Sequence, residues 1–194
     1  MTMTPVAGNG GVPLRLAFGS PTSLGRCQDR VLTWDDFCRM LMMPHVGSET
    51  LEEFLALPVN EQNRLKNSNG WFVGGSVPTG RRSAATVTNR AVITLDVDAG
   101  IPLLVTGLRN GLLPICRYEF FIRTTRKHNP LAPRYQIYIL LTHPVGTEKY
   151  EALSRILGYW FDPSMDSLDP AGFRHAQLMY MPCLLYTSPS PRDS

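Results

Sequence analysis

Two aspartates inside an otherwise apolar strand constrain this chain most. The segment Ala91-Val92-Ile93-Thr94-Leu95-Asp96-Val97-Asp98 is β-branched and apolar, so it reads as a strand. Strand side chains alternate between faces. Ile93, Leu95 and Val97 therefore point into a core beneath helices, and Thr94, Asp96 and Asp98 share the opposite face. Two residues apart on a strand places the α-carbons ~6.5–7 Å from each other. Without a cation, carboxylates ~5 Å apart repel by ~3 kcal/mol at an effective dielectric near 20. Such a pair is costly unless it grips one cation, or two cations ~3.5–4 Å apart. All-oxygen ligands point to Mg²⁺ or Mn²⁺, whose remaining coordination positions go to water and substrate phosphates.

The surrounding pattern sets the fold expected. Thr33-Trp34-Asp35-Asp36 is a helix start, with Thr33 as N-cap and Trp34, Phe37, Cys38 and Leu41 at helical spacing up to Pro44. Ser48 or Thr50 caps a second helix carrying Leu51, Phe54 and Leu55, and Asn60 to Lys66 reads as a third. Residues 33–67 thus form a small helical lead-in, after a short strand at Leu14 to Phe18. From residue 91 the order is strand (91–98), helix (Pro102–Asn110), strand (Tyr118–Thr124), strand (Tyr135–Leu141), helix and strand (Gln177–Met181). Thr147 caps that second helix, with Tyr150, Leu153, Ile156, Leu157 and Trp160 on one face. The class is α+β, with a ferredoxin-like or RNA-recognition-like β-α-β-β-α-β core over 91–182. Such a fold hosts many functions, so function must be argued from the site.

A basic cluster follows the second strand of that core. Arg123, Arg126, Lys127 and Arg134 fall within twelve residues, with Thr124, Thr125 and His128 among them. The turn Asn129-Pro130-Leu131-Ala132-Pro133 joins the two strand ends. In a split β-α-β-β-α-β sheet the first strand lies beside the third, so Arg134 approaches the acidic face. Its planar fork suits phosphate, and His128 adds a hydrogen-bond donor. Beside an acidic pair the cluster reads as a triphosphate clamp. Arg81-Arg82 is a second basic patch, read either as a contact to template phosphates or as an exposed loop. Trp71 and Phe72 read as core. Asp162, Asp166 and Asp169 lie between the last helix and the last strand, and spacing alone does not choose a third metal ligand among them. His175 is open between surface and ligand; His45 and His143 carry no assigned role.

Composition narrows the remaining options. The net charge of +3 is too small to imply nucleic acid by itself. No apolar run approaches the ~20 residues of a membrane span, and Met1-Thr2-Met3-Thr4-Pro5 lacks the basic start of a secretory signal. The cysteines, Cys27, Cys38, Cys116 and Cys183, are scattered and fit a reduced, cytosolic protein. Residues 1–13, rich in Gly, Pro and Thr, read as disordered. Residues 183–194 are similar to the translation of a transposase-type sequencing adapter, which puts the end of the natural sequence of this fragment near Pro182.

Taken in order, several short segments carry a family likeness. They are Trp34-Asp35-Asp36-Phe37, Phe72-Val73-Gly74-Gly75, Gly80-Arg81-Arg82, Leu95-Asp96-Val97-Asp98, Thr124-Thr125-Arg126-Lys127-His128, Pro133-Arg134-Tyr135 and Gln177-Leu178-Met179-Tyr180-Met181-Pro182. Together they resemble the archaeo-eukaryotic-type primases, more narrowly the primase-polymerase region of phage and plasmid replication proteins of the virulence-associated E-like kind. The likeness covers Leu14 to Pro182, a single primase-polymerase-like domain over 14–182. It implies an Asp-x-Asp motif at Asp96 and Asp98, a nucleotide-contacting histidine at His128, and a hydrophobic-acid motif at Leu168-Asp169 that selects Asp169 as third ligand. It implies DNA priming by metal-dependent, template-directed nucleotidyl transfer. The substrates would be NTP or dNTP and a single-stranded DNA template, with a two-metal Mg²⁺ or Mn²⁺ site and Arg134, Arg126 and Lys127 on the triphosphate. It also implies a helicase domain in the full-length protein and a place in the cytoplasm of a bacterial host, encoded by a phage or plasmid. Many relatives carry a basic residue where this chain has Gln136, and Arg where it has Gln177. The rival readings are a metal-dependent nuclease, a non-catalytic nucleic-acid-binding module of RNA-recognition-like fold, and an inactive fragment.

Overall fold

The computed structural model describes residues 13–23, 25–100, 102–129 and 131–185. The expected disorder of 1–13 lies outside these residues except for Pro13, which opens the first strand.

The lead-in begins with a hairpin, β1 (Pro13–Gly19) against β2 (Gln28–Thr33). Helix α1 (Trp34–Leu41) starts where the sequence places it: Thr33 Oγ1 accepts from the Asp36 N–H at 3.1 Å. Strand β3 (His45–Val46) and helices α2 (Leu51–Ala56) and α3 (Val59–Asn67) follow. Of the two candidate caps for α2, Thr50 is the one used, in a reciprocal capping box with Glu53. Next come β4 (Trp71–Val73), β5 (Gly75–Ser76), β6 (Asn89–Val97), α4 (Pro102–Arg109), β7 (Phe120–Thr124), β8 (Tyr135–Val145), α5 (Thr147–Phe161), β9 (Met179–Tyr180) and β10 (Cys183–Leu184).

Two four-stranded antiparallel sheets result, in the orders β2-β1-β4-β9 and β5-β6-β8-β7, with β10 pairing parallel to β3. The α+β class holds, and β6 lies beside β8 as the split unit requires. The unit's last strand departs from expectation. β9 pairs with β4 in the other sheet, and β5 takes the place beside the start of β6. At the far end of β6 that edge is filled by Ser167 to Asp169, through an isolated bridge between Val97 and Leu168. Cys183 and Leu184, which read as tail from sequence, are paired with His45 and Val46; residues 186–194 lie outside the described part.

Each face of the second sheet has its own core. Ile93, Leu95 and Val97 of β6 and Ile137 and Ile139 of β8 pack against Tyr150, Leu157 and Phe161 of α5. The α5 cap and face both differ from the sequence reading. Gly146, not Thr147, occupies the N-cap, with no side-chain hydrogen bond. The buried stripe runs Tyr150, Ser154, Leu157, Gly158, Phe161, while Ile156 is exposed and Trp160 stacks on Tyr118 at the surface. Tyr150 and Leu157 lie on the stripe as expected and Leu153 packs against its edge, whereas Ile156 and Trp160 give way to the small Ser154 and Gly158 and to Phe161. Gly158 is the clearer case: a Cβ there would stand 3.0 Å from Leu168 and 3.2 Å from Phe173.

On the opposite face, Val92, Leu140, Phe121 and Tyr138 meet Trp34, Phe37 and Leu41 of α1 and Leu14, Leu16 and Phe72 of the first sheet. Phe37 is fully buried and meets Phe72 and Tyr138 edge-on, with centroids 5.2 and 5.8 Å away. This cluster locks the lead-in onto the second sheet. Phe37→Ala should lower unfolding free energy by about 3–5 kcal/mol in urea denaturation. A loss under about 1 kcal/mol would mean that the lead-in is not joined to the sheet through this ring.

Candidate active site

The acidic strand face is one end of a graded surface. The register of β6, β8 and β7 aligns Thr94, Tyr138 and Phe121 in one row across the sheet, and Asp96, Gln136 and Arg123 in the next. Beyond them, Asp98 meets Arg134, and Thr125 donates its N–H to the Arg134 carbonyl at 3.0 Å. The face therefore passes from apolar core to polar cleft within three rows.

The middle row is a hydrogen-bonded chain. Arg123 donates to the Gln136 Oε1 at 2.6 Å, to the Tyr138 hydroxyl at 2.9 Å and to the Tyr180 carbonyl at 2.8 Å. The Tyr138 hydroxyl also donates to Gln136 Oε1 at 2.6 Å. Two donors on that oxygen fix the amide, and Gln136 Nε2 faces Asp96 Oδ2 at 3.4 Å. Gln136 is thus a strut for the acid. Arg123, the central member, escaped sequence reading as an individual because nothing local separates it from its basic neighbours.

Asp169 is brought to the pair by backbone. Its N–H donates to the Asp96 carbonyl at 2.8 Å, and the Asp98 N–H donates to the Ser167 carbonyl at 3.0 Å. The other two acids separate cleanly. Asp162 accepts four hydrogen bonds from Ser164 and Ser167, which outweigh the upward push of burial and hold its carboxyl below the usual range. It builds the loop. Asp166 is exposed. Asp96, Asp98 and Asp169 all line one cleft of about 300 Å³, whose other walls carry Lys66, Arg123, Arg126, Lys127 and Arg134. The segment from Gln177 to Met181 closes one side. That wall is held by Arg90, fully buried over the Tyr150 ring, which donates to the carbonyls of His175 and Gln177.

The electrostatics match this assembly. Burial, then repulsion from Asp98 and Asp169, pushes Asp96 up to about 6, against relief from Gln136 and Arg123. Burial, then Lys66 and Arg134, pushes the Lys127 ammonium down, opposed by Asp98. Each wall thus concentrates one sign of charge. Arg134 pairs with Asp98 at 3.1 Å on the partly exposed rim, where such a pair contributes at most about 1 kcal/mol. The Arg126 side chain is largely buried and paired with Glu49 of the lead-in, over the Phe54 ring at 4.6 Å, and its Nε and Nη1 have no partner among the described residues. Lys66, from α3, was invisible in sequence because a lone lysine in a polar helix carries no signal.

His128 is not among the cleft-lining residues. Its Nδ1 accepts from the Arg134 N–H at 3.2 Å, which puts the proton of the neutral ring on Nε2. Arg82 is drawn into the fold, donating to the Ala176 carbonyl at 2.8 Å and lying over Trp71, while Arg81 is exposed. Trp71 and Phe72 are core. His175 is buried, its Nε2 at 2.8 Å from the Ala84 carbonyl. No helix among the described residues is long and apolar enough to cross a membrane.

As the side chains lie, no three described carboxylate, imidazole or thiol groups are gathered closely enough to hold a metal. Asp98 is turned to Arg134, and Asp169 Oδ1 accepts from the Ala171 N–H at 2.9 Å. The donor set nonetheless fits a hard divalent cation: three carboxylates face one cleft, and the most buried of them is destabilised by its own charge.

The chain is thus a mixed α+β domain whose acidic strand faces a cationic wall. The model of the VapE N-terminal domain family matches residues 9–188, and the chain belongs to that family. Among solved structures, it is similar to the AEP domain (PP-N190) of the primase-polymerase of cyanophage S-2L. That match has 15% identity and a TM-score of 0.43, covering 87% of this chain and 72% of that one. No curated protein matches.

The raised Asp96 carboxyl has a consequence for stability. Its folded value, about 6, exceeds the ordinary 3.8, so the ionised form costs stability above about pH 6 and the cost is gone below about pH 4. Without divalent cations, Asp96→Asn should raise unfolding free energy at pH 7 by roughly 1–3 kcal/mol. Denaturation across pH should show that gain shrinking to nothing near pH 4. A loss of stability at pH 7 would contradict the electrostatic reading.

Proposed function

We propose that this domain is the primase-polymerase module of a VapE-like replication protein and carries out metal-dependent, template-directed nucleotidyl transfer. The observation that carries this reading is the convergence of Asp96, Asp98 and Asp169 on one cleft opposite Lys66, Lys127, Arg126 and Arg134. Membership of the VapE N-terminal domain family and the motif resemblance to archaeo-eukaryotic-type primases support it.

Asp96, Asp98 and Asp169 would hold Mg²⁺ or Mn²⁺, which when bound supplies a lowered pKa to an attacking 3′-hydroxyl and charge neutralisation to the leaving pyrophosphate. Gln136 holds Asp96 in place and, through Arg123, fixes its orientation to the Tyr180 wall. Lys127, Lys66 and Arg134 bind the triphosphate oxygens. Arg126, held in position by Glu49 and Phe54, adds its charge behind the same wall. His128 Nε2 is the donor left to reach a nucleotide, and its Nδ1 braces Arg134. Cations fixed in advance of binding need no reorganisation when charge develops. The strand copied is single-stranded DNA, the substrates are NTP or dNTP, and a helicase domain belongs to the full-length protein. A silent RNA-recognition-like module would carry aromatics on this sheet end; here the row holds Asp96, Gln136 and Arg123.

The test is primer extension and de novo priming on single-stranded DNA with Mg²⁺ or Mn²⁺. Wild type should incorporate nucleotide, Asp96→Ala/Asp98→Ala should fall to background, and Lys66→Ala/Lys127→Ala should raise KM for nucleotide by about tenfold or more. Strand cleavage without incorporation would replace this reading with a nuclease, and activity surviving the double aspartate substitution would reject the site.

A further inference from the structure

A second concentration of positive charge lies outside the cleft and shares no lining residue with it. The loops preceding β2 and β6 meet there. The Cys27 N–H donates to the Gly80 carbonyl at 2.9 Å and the Arg82 N–H to the Gly25 carbonyl at 2.8 Å. Arg26 and Arg81 therefore stand directly opposite in an antiparallel bridge. Flanked by those bonds, they form the non-hydrogen-bonded kind of pair, with α-carbons ~4.5 Å apart and side chains on one side. Each arginine follows a glycine in the left-handed region, Gly25 at φ 86° and Gly80 at φ 70°. Substituting either glycine would strain the backbone that sets the pair.

Like charges facing each other across strands are destabilising. Nothing in the described fold relieves this pair: neither Arg26 nor Arg81 belongs to any ion pair among the described residues. Both side chains are exposed and line a concavity of about 320 Å³ with Thr22 and Ser23. Two exposed guanidinium forks at one hollow are complementary to a phosphate group. The hollow is also tied to the cleft. Arg82, the next residue, donates to the carbonyl of Ala176, which precedes the cleft-wall residue Gln177.

We propose that Arg26 and Arg81 form a second phosphate-binding site, which grips the backbone of a single-stranded nucleic acid outside the catalytic cleft. The choice of a polynucleotide as ligand rests on the nucleotidyl-transfer reading; the phosphate chemistry does not. Two arginines on the backbone should contribute to the salt dependence of binding, at ~0.7 in log–log slope for each phosphate neutralised on a single strand.

Fluorescence anisotropy with a labelled oligothymidylate, measured against salt concentration, tests this. Compared with wild type, Arg26→Gln/Arg81→Gln should bind about tenfold more weakly at low salt, with a slope smaller by about 1–1.5. Arg26→Lys/Arg81→Lys should keep the slope, and calorimetric binding of Mg²⁺–dNTP should be unchanged in both variants. Thermal melting should show the glutamine variant folded and no less stable than wild type. Equal affinity and slope in wild type and glutamine variant would overturn the site, as would absence of strand binding by wild type. Strand binding that depends on both arginines, in a protein that never incorporates nucleotide, would uphold the site and sink the polymerase reading instead.

Discussion

The antiparallel register of β6 against β8 is the constraint on which the rest depends. It sets Asp96 opposite Gln136 and Thr94 opposite Tyr138. A slip by one residue would turn every side chain to the other face. It would drive Asp96 and Asp98 into the α5 core and put Ile93, Leu95 and Val97 in the cleft. Burial of those three residues, with Ile137 and Ile139, fastens the register from below. The aromatic cluster of Phe37, Phe72 and Tyr138 fastens it from above. Tyr138 then joins core to site, because its ring lies in the cluster and its hydroxyl bonds Arg123 and Gln136. The lead-in is accordingly more than an appendage: α1 supplies part of the support for the site, Glu49 and the α2 residue Phe54 anchor Arg126 of the cationic wall, and α3 contributes Lys66 to it.

The site is assembled against stability. Asp96 is buried near two other carboxylates, with a hydrogen bond from an uncharged amide as its nearest relief. Across the cleft, Lys127 sits near Lys66 and Arg134. Repulsion on both walls falls when anionic oxygens and a cation lie between them, so the ligand complements charge that the fold alone leaves strained. The hydrophobic clusters on either face of the sheet supply the margin that permits this.

Much of this was legible in sequence where a signal was local. The alternation from Ile93 to Asp98 named both faces of β6, and Thr33 with Asp36 marked the start of α1. The split order placed β6 beside β8 and so Arg134 near Asp98. Non-local features were not legible. Periodicity says nothing about which edge Met179–Tyr180 joins, and a turn such as Ser167–Asp169 standing in for a strand has no pattern of its own. Spacing could not separate Asp162, Asp166 and Asp169, whereas hydrogen bonding does so at once. The α5 stripe was read through its large residues and missed Ser154 and Gly158, which settle the packing by being small. Lys66 and Gln136 matter only through what tertiary structure sets beside them.

On the proposed function, the acidic strand and the cationic wall act as one site, joined by a divalent cation and a triphosphate. Calorimetric titration of wild type with a non-hydrolysable nucleoside triphosphate, with and without Mg²⁺, tests it most directly when repeated on Asp96→Ala. Nucleotide should bind tightly only with the cation present, and the Asp96 variant should lose this dependence together with the tight binding. Equal affinity with and without Mg²⁺ in wild type, or unaltered linkage in the variant, would contradict it.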